Sequence, residues 1–190
     1  MEVSKETLEE IIRRAKEGDS KAFDMLYNTY FTPLYRYVYV RLKTREDAED
    51  VVQDTFLKAY QALPRYEHTR DSMLPYLFTI ARNLLINHTK KKRPDALPGE
   101  DLDRHPGEEK TSDMAEWREL QEELLVAMEV LSETEREVIE LRFFGEQTYA
   151  EIAEVLDKRE DAIRQHVARA MKKMKQVLTE RTAREDQPKV

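Results

Sequence analysis

The 190-residue chain contains no cysteine, which excludes disulfide bonds and thiolate chemistry. It has no apolar run long enough to cross a bilayer, and its first residues, MEVSKETLEEIIRR, lack the uninterrupted apolar stretch of a signal peptide. We therefore expect a cytoplasmic protein without membrane insertion. With only four glycines and no sustained alternation of Val, Ile or Thr, the sequence predicts an all-α protein.

Patterns that would indicate catalysis are also missing. The histidines are scattered, without the i, i+4 pairing or companion carboxylates of a helical metal site; they are His68, His88, His105 and His166. No glycine-rich phosphate loop and no nucleophile motif occurs. We therefore expect neither an enzyme nor a cofactor or metal site.

Helical periodicity predicts helices over most of the chain. Their expected ranges are 5–17, 21–42, 44–63, 72–91, 113–131, 133–143, 149–156 and 161–179. Gly18, Pro64 and Gly145 each follow one of these helices, and Ser132 with Glu135 predicts a capping box. Pro33 should kink or split the second helix.

Residues 94–112, PDALPGEDLDRHPGEEKTS, have the composition of a flexible linker, because three prolines, two glycines and few large apolar residues cannot bury enough surface to fold. The sequence thus predicts two small helical domains, at 1–93 and 113–182, and a disordered tail at 183–190. As a flexible coil, the linker would span roughly 25 Å. Fully stretched, it would reach about 65 Å.

Residues 148–174, TYAEIAEVLDKREDAIRQHVARAMKKM, have the spacing of a helix-turn-helix. Thr148 and Glu151 predict a capping box at the first helix, and the span from Asp157 to Glu160 fits only a tight turn. Two apolar sets at helical spacing should share one small core. The first comprises Tyr149, Ile152, Ala153 and Leu156, and the second comprises Ile163, Val167, Ala170, Met171 and Met174.

The outward strip of the second helix carries polar and cationic side chains. It comprises Gln165, Ala168, Arg169, Lys172 and Gln176, flanked by Arg164 and Lys173. Arg and Gln can read purine edges in a major groove, and Lys can hold phosphates. A solvated charged face is the alternative, but the tight turn and the excess of cations favour DNA.

The net charge of −7 is unexpected for a protein that binds DNA unaided, because phosphate attraction supplies much of the affinity. The charge is unevenly distributed. Basic residues concentrate at 82–93 and 158–175, whereas acidic residues concentrate at 46–54 and 95–113. This distribution indicates two local basic faces on a protein that needs a partner to reach DNA.

Two helices of the first half carry contrasting exposed faces. In EDAEDVVQDTFLKAYQAL, spacing predicts a buried stripe of Ala48, Val51, Val52, Thr55, Phe56, Ala59 and Leu63, and an outer face of Glu46, Asp50, Gln53, Asp54 and Leu57. That face is either a solvated surface or a docking site for a basic helix.

In SMLPYLFTIARNLLINHTKKKRP, a predicted buried set of Leu77, Phe78, Ala81, Leu84 and Leu85 lies opposite Thr79, Asn83, Asn87 and Lys90. With Tyr76, this row suits single-stranded nucleic acid, or consists of ordinary core and helix-end residues.

The order of these segments is similar to that of a known family. EDAEDVVQDTFLKAY, a polar loop, YLFTIARNLLIN with KKKR, LSETEREVIELRFF, and TYAEIAEVL with its basic helix closely resemble the bacterial RNA polymerase sigma factors of the extracytoplasmic function (ECF) group. The resemblance implies a specificity subunit that binds core RNA polymerase and directs it to promoters. Catalysis would belong to the polymerase.

The resemblance also implies roles for individual residues. Asp50, Gln53, Asp54 and Leu57 would dock on the clamp coiled coil of the largest polymerase subunit. The downstream (−10) promoter element would be captured by Tyr76, Asn83, Asn87, Lys90 and Lys91. The second domain would contact the polymerase flap and would read the upstream (−35) element through Arg164, Gln165, Ala168, Arg169, Lys172 and Lys173.

The family resemblance further implies a monomer when free, a role in a stress or envelope response, and control by an anti-sigma protein. Tyr76, Asn87, Asp157 and His166 depart from the common family pattern, which puts base preference in question, although Asp tolerates a left-handed backbone at position 157. The alternatives are a free-standing helix-turn-helix transcription regulator, which should dimerise on a palindromic site, and a helical adaptor that binds no nucleic acid.

Overall fold

A computed structural model describes residues 5–67, 72–91 and 124–185. The first domain contains helices α1 (Lys5–Lys16), α2 (Ser20–Leu42), α3 (Arg45–Ala62) and α4 (Leu74–Lys91), with a short 3-10 turn at Leu63–Arg65. The predicted linker at 94–112 and residues 186–190 of the predicted tail lie outside the described residues.

The second domain begins, within the described residues, at α5 (residues 124–128). It continues through α6 (Glu133–Ile139), a π-helical turn at Glu140–Phe144, α7 (Tyr149–Val155) and α8 (Glu160–Glu185). No strand occurs in the described ranges, so the predicted all-α class is confirmed. α8 continues to Glu185, into the segment predicted as a tail, because its last residues are mostly good helix formers.

Side-chain caps set the starts of several helices. Asp19 accepts hydrogen bonds from the backbone N–H groups of Lys21 and Ala22 at the start of α2. Both predicted capping boxes are confirmed: Ser132 with Glu135 begins α6, and Thr148 with Glu151 begins α7. The tight turn between α7 and α8 places Asp157 at φ 50°, the left-handed conformation that Asp tolerates.

The structure departs from the predicted helices at three places. Pro33 lies inside α2, which is one continuous helix from Ser20 to Leu42, so the proline does not split it. The helix predicted at 133–143 is α-helical only to Ile139 and then widens into the π-helical turn. Met171, predicted as core, is 45% exposed, because the buried stripe of α8 is narrower than the apolar pattern suggested.

The core of the first domain follows the predicted stripes. All seven predicted positions of EDAEDVVQDTFLKAYQAL are buried, and so are the predicted positions of α4, except Leu84, which is only partly buried. An aromatic group joins α2 to α3: Tyr27 lies 4.5 Å from Phe56, and Phe23 lies 4.9 Å from Tyr60, measured between ring centroids. This packing fixes α3 with its polar face outward.

The two domains lie directly against each other. α2 packs on the π-helical turn, and α4 packs on α7. At this contact a Cβ atom built on Gly145 would lie 2.8 Å from Phe78 Cζ and 2.9 Å from Leu141 O. Only glycine therefore allows so close an approach of the turn to the aromatic ring of α4.

Among the described helices, none combines the length and the apolar character that crossing a membrane requires.

Candidate partner and nucleic-acid interfaces

The outer face of α3 presents acidic and apolar side chains together. Asp50, Gln53, Asp54 and Leu57 are all exposed, as the sequence predicts, and Leu57 is 53% exposed. A large exposed leucine among carboxylates is the pattern of a docking face for a partner with basic and apolar groups, because it offers both charge attraction and buried area.

On the side of α3 that faces α4, an open groove of about 780 Å³ runs between the two helices. Its lining brings together the predicted residues Tyr76, Asn83 and Asn87. It also includes three polar residues that the sequence analysis missed, namely Lys58, Gln61 and Arg65. Lys58 and Gln61 lie at i and i+3 of α3, so a search for polar residues on one side of that helix could have found them. Arg65 follows in the 3-10 turn, beyond the reach of helical periodicity.

The groove combines the groups that bind an unstacked nucleotide. Tyr76 packs against Tyr66 with ring centroids 4.7 Å apart, which holds the Tyr76 ring at the groove wall. The amide side chains of Gln61, Asn83 and Asn87 can hydrogen-bond base edges. Lys58 and Arg65 supply positive charge for phosphates. Aromatic, amide and cationic groups in one open groove suit single-stranded nucleic acid.

The predicted outward strip of α8 is exposed at Gln165, Ala168, Arg169 and Lys172. Arg164 is also exposed, but its Nη2 donates to Glu160 Oε1 at 2.5 Å, and its guanidinium lies 4.6 Å from the centroid of the Tyr149 ring. These contacts hold the Arg164 side chain along the helix surface. Because the ion pair is exposed, exchanging it for a DNA phosphate costs about 1 kcal/mol or less.

His166 lies between the exposed strip and the core of α8. Its Nδ1 is 3.3 Å from Arg169 Nη2, so the neutral ring can accept a hydrogen bond from that guanidinium. Partial burial, with the nearby charges of Arg169 and Lys158, lowers the pKa of His166. The ring is therefore neutral at pH 7 and positions Arg169 without adding charge to the strip.

Lys173 is tied to the second domain's own core. Its Nζ donates to Glu135 Oε2 at 2.7 Å, joining α8 to α6. Hydrogen bonds from Lys173 and from the Ser132 backbone lower the pKa of Glu135 to about 2. Lys173 is thus less available to DNA than Lys172, while the side chains of Lys90 and Lys91, at the end of α4, lie outside the described residues.

Metal-binding geometry is not found in the described ranges: no group of three or more His, Asp or Glu side chains there could hold an ion.

Comparison with known proteins gives two family matches. Residues 26–94 match the family model for sigma-70 region 2, and residues 121–174 match the model for sigma-70 region 4. The first range includes the α3 face and the groove between α3 and α4. The second includes the helix-turn-helix formed by α7 and α8.

Curated relatives match most of the chain. The chain is 33% identical over 171 residues to the ECF RNA polymerase sigma factor BldN of Streptomyces coelicolor. This alignment covers 89% of this chain but only 65% of BldN. The chain is also 28% identical over 152 residues to the ECF RNA polymerase sigma factor SigM of Bacillus subtilis, covering 80% of this chain and 92% of SigM.

Solved structures share the fold. CnrH, solved in complex with the cytosolic domain of CnrY, has a TM-score of 0.67 and 24% sequence identity, covering 89% of this chain and 95% of that chain. The sigma factor RpoE of Bartonella quintana, solved with the anti-sigma factor NepR, has a TM-score of 0.66 and 24% identity, covering 84% and 98%. With both regions matched in order along the chain, this protein belongs to the sigma-70 family of RNA polymerase sigma factors, in its ECF group.

Proposed function

We propose that this sigma factor binds core RNA polymerase and directs it to specific promoters, with catalysis supplied by the polymerase. The observation that carries the proposal is the arrangement around α3. One side of this helix presents Asp50, Gln53, Asp54 and Leu57, and the adjacent side forms a wall of the groove shared with α4. A polymerase docked on the first side would bring promoter DNA to the second.

The docking face would bind the clamp coiled coil of the largest polymerase subunit. Asp50 and Asp54 lie one helical turn apart and would face basic side chains of the coiled coil, with Leu57 buried between the partners. The charges would steer association, and the leucine would supply apolar area.

The groove would hold the downstream (−10) element after its strands separate. An unpaired base would stack on Tyr76, and Asn83, Asn87 or Gln61 would hydrogen-bond its edge. Lys58 and Arg65 would contact the phosphates on either side. Stacking on an aromatic ring contributes about 1 to 3 kcal/mol per base, which favours the melted strand over the duplex.

The second domain would read the upstream (−35) element with α8. Gln165, Arg169 and Lys172 would reach base edges and phosphates of the major groove, and Ala168 would allow close approach of the helix. Arg164 would exchange Glu160 for a phosphate, and the polymerase flap would hold the domain in place. Lys90, Lys91 and Lys173 would add phosphate contacts.

The acidity of the whole chain supports dependence on the polymerase. A net charge of −7 opposes binding to DNA over distances of about 8 Å at physiological salt, so local basic faces alone give weak attraction. We expect promoter binding by the isolated chain to be weak, and binding by the assembled holoenzyme to be strong. Tight binding by the chain alone in a mobility-shift assay would contradict this expectation.

Regulation would follow the same surfaces. CnrH and RpoE were solved with the cytosolic domain of CnrY and with the anti-sigma factor NepR, respectively, and both share this fold. By this similarity, we propose that an anti-sigma protein covers the polymerase-docking face of this chain in the cytoplasm. Its release under stress or envelope damage would free the sigma factor.

The decisive experiment mixes the purified chain with sigma-free core polymerase and measures co-elution and transcription from a genomic promoter library. The variant Asp50→Arg plus Asp54→Arg should lose both. The control Glu9→Arg plus Asp24→Arg changes the net charge equally at exposed positions of α1 and α2 and should lose neither. DNA binding without any binding to polymerase would instead favour a free-standing regulator.

A further inference from the structure

The ring of Tyr149 contacts the guanidinium groups of two arginines. The guanidinium carbon of Arg164, in α8, lies 4.6 Å from the ring centroid, and that of Arg142, in the π-helical turn, lies 5.1 Å from it. Both distances are within the roughly 6 Å at which a cation and an aromatic ring attract each other. One neutral ring therefore joins the π-helical turn, α7 and α8.

The start of α7 fixes the position of this ring. Tyr149 is the first residue of the helix, directly after Thr148 of the capping box. Its ring is partly buried and packs against the core of the domain. Nη1 of Arg142 donates to the Gln147 carbonyl oxygen at 2.8 Å, so the second guanidinium is tied to the backbone just before α7. The ring is thus held in place before any DNA is bound.

Arg164 has two partners, and only one of them competes with DNA. The ion pair with Glu160 occupies an N–H donor, because Nη2 donates to Oε1. A phosphate would need the same kind of donor and the same charge. Attraction to the Tyr149 ring acts between the charge and the ring electrons and consumes no N–H group. Arg164 therefore has to leave Glu160 to contact DNA but can stay on the ring.

An arginine that is already held in place binds a phosphate more tightly than a free one. A long exposed side chain loses rotamer freedom when it contacts a ligand, and this loss reduces the affinity. Contact with the ring removes part of that freedom in advance. The ring also leaves the guanidinium fully charged, whereas Glu160 neutralises it.

We propose that Tyr149 is a positioning residue for promoter recognition: its ring, braced by Arg142, holds Arg164 in the orientation that contacts the backbone of the upstream (−35) element. The ring acts through Arg164 and needs no contact of its own with DNA. The promoter-binding part of this role rests on the proposed function, because Arg164 must be a promoter contact. The orientation of Arg164 in the free chain is independent of it.

The first test detects the stacked arginine in the free, full-length chain. Nuclear magnetic resonance of isotope-labelled arginine should show Arg164 side-chain protons shifted upfield by the ring current, with the signal assigned by its loss in Arg164→Lys. The shift should persist in Tyr149→Phe, which keeps the ring, and disappear in Tyr149→Leu.

Circular dichroism shows whether each variant is folded. Absence of the upfield shift from the parent or from folded Tyr149→Phe would overturn the proposal, and so would its survival in folded Tyr149→Leu. If Tyr149→Leu does not fold, the parent and Tyr149→Phe still decide the result.

The second test measures the affinity of the assembled holoenzyme for a promoter with an intact upstream element. Arg164→Ala should weaken binding about ten-fold and Tyr149→Leu about three-fold. The double variant should bind no more weakly than Arg164→Ala, because the ring acts through the arginine. Tyr149→Phe should bind as the parent does.

Lys172→Ala is the matched control. Lys172 is an exposed cation of the same strip, but it lies eight residues beyond Arg164, about 12 Å further along the helix axis. Its effect should therefore add to that of Tyr149→Leu. On a promoter whose upstream element is scrambled, all these variants should bind equally.

Two outcomes would overturn the positioning role alone. Additive losses from Tyr149→Leu and Arg164→Ala would show that the ring acts by itself, and an equal loss in Tyr149→Phe would assign the effect to the hydroxyl. If Arg164→Ala and Lys172→Ala both bound like the parent, the proposed reading of the upstream element by α8 would be refuted, and the role of the ring in promoter binding with it.

Discussion

Glu135 and Glu140 are buried carboxylates close together in sequence, yet their environments are opposite. Glu135 accepts hydrogen bonds from Lys173 and from Ser132 within its own domain, and these donors lower its pKa to about 2. Glu140 faces Arg41 across the domain boundary, but burial outweighs that attraction and raises its pKa to about 7. The environment of Glu135 therefore favours its charged form, whereas the environment of Glu140 favours its neutral form.

The difference separates a contact within one domain from a contact between the two domains. Glu135 caps α6 and joins it to α8, so its charge is compensated whether or not the domains touch. Glu140 lies against Arg41 of the other domain, so part of its burial is lost when the domains separate, and its charge costs less there than in the closed chain. Changes at Glu135 should affect unfolding, and changes at Glu140 should affect opening.

The largest effect should come from Glu135→Ala. The substitution removes the capping box of α6 and the partner of Lys173, and we expect the second domain to lose about 2 kcal/mol of its free energy of unfolding. Urea denaturation followed by circular dichroism measures this loss, and amide exchange locates it in α6. Glu133→Ala, at an exposed position of the same turn, is the control and should change little. Equal effects of both substitutions would contradict the assigned role of Glu135.

Acid should remove the contribution of Glu135. Its pKa is about 2 in the folded chain against an ordinary 4.5, so its stabilisation is complete above pH 4.5 and is lost as the pH falls towards 2. The parent chain and Glu135→Gln should therefore differ in stability near neutral pH and converge in acid. Thermal unfolding of both across this range provides the measurement, and a constant difference would show that the charge is not responsible.

Glu140 should respond in the opposite direction. Its pKa in the closed chain is about 7 against 4.5 in water, so closure binds a proton, and the proton's contribution to closure is lost as the pH rises through 7. The charged groups facing it are Arg41, Arg82, Arg136, Glu137 and the Tyr37 hydroxyl. Förster transfer between fluorophores on Glu9→Cys in α1 and Lys175→Cys in α8 should therefore fall as the pH rises from about 4.5 to about 7 in the parent chain, and stay level in Glu140→Gln. A parallel fall in both proteins would exclude Glu140 as the titrating group.

Local features of this protein could be predicted from its sequence, whereas the contacts between distant segments could not. The two capping boxes, the left-handed Asp157 and the buried stripe of α3 depend on neighbours within one or two helical turns, so residue spacing encodes them. The groove depends on how α3 lies against α4, which is why Lys58 and Arg65 were missed although Tyr76 and the two asparagines were included.

The buried interdomain ion cluster, in which Arg41 and Arg82 pair with Glu137 and Glu140, is harder still to predict. It joins residues of α2 and α4 to residues beyond the linker, and no periodicity links such positions. Glu137 and Glu140 read as ordinary polar positions of a helix until the other domain covers them. Met171 shows the converse error, because an apolar side chain in a regular pattern was assigned to a core that does not reach it.

The smallest effect should come from the exposed ion pair between Arg36 and Glu146. Arg36→Ala removes an ion pair whose side chains are more than half exposed, and such pairs contribute roughly 0 to 1 kcal/mol. Interdomain Förster transfer should therefore be almost unchanged in Arg36→Ala, whereas Arg82→Ala, which leaves the buried Glu137 with one partner fewer, should lower it clearly. Raising the salt concentration should abolish any residual effect of Arg36→Ala, because exposed charges are screened more than buried ones. If Arg36→Ala instead opened the chain as far as Arg82→Ala does, surface attraction rather than the buried cluster would hold the domains together.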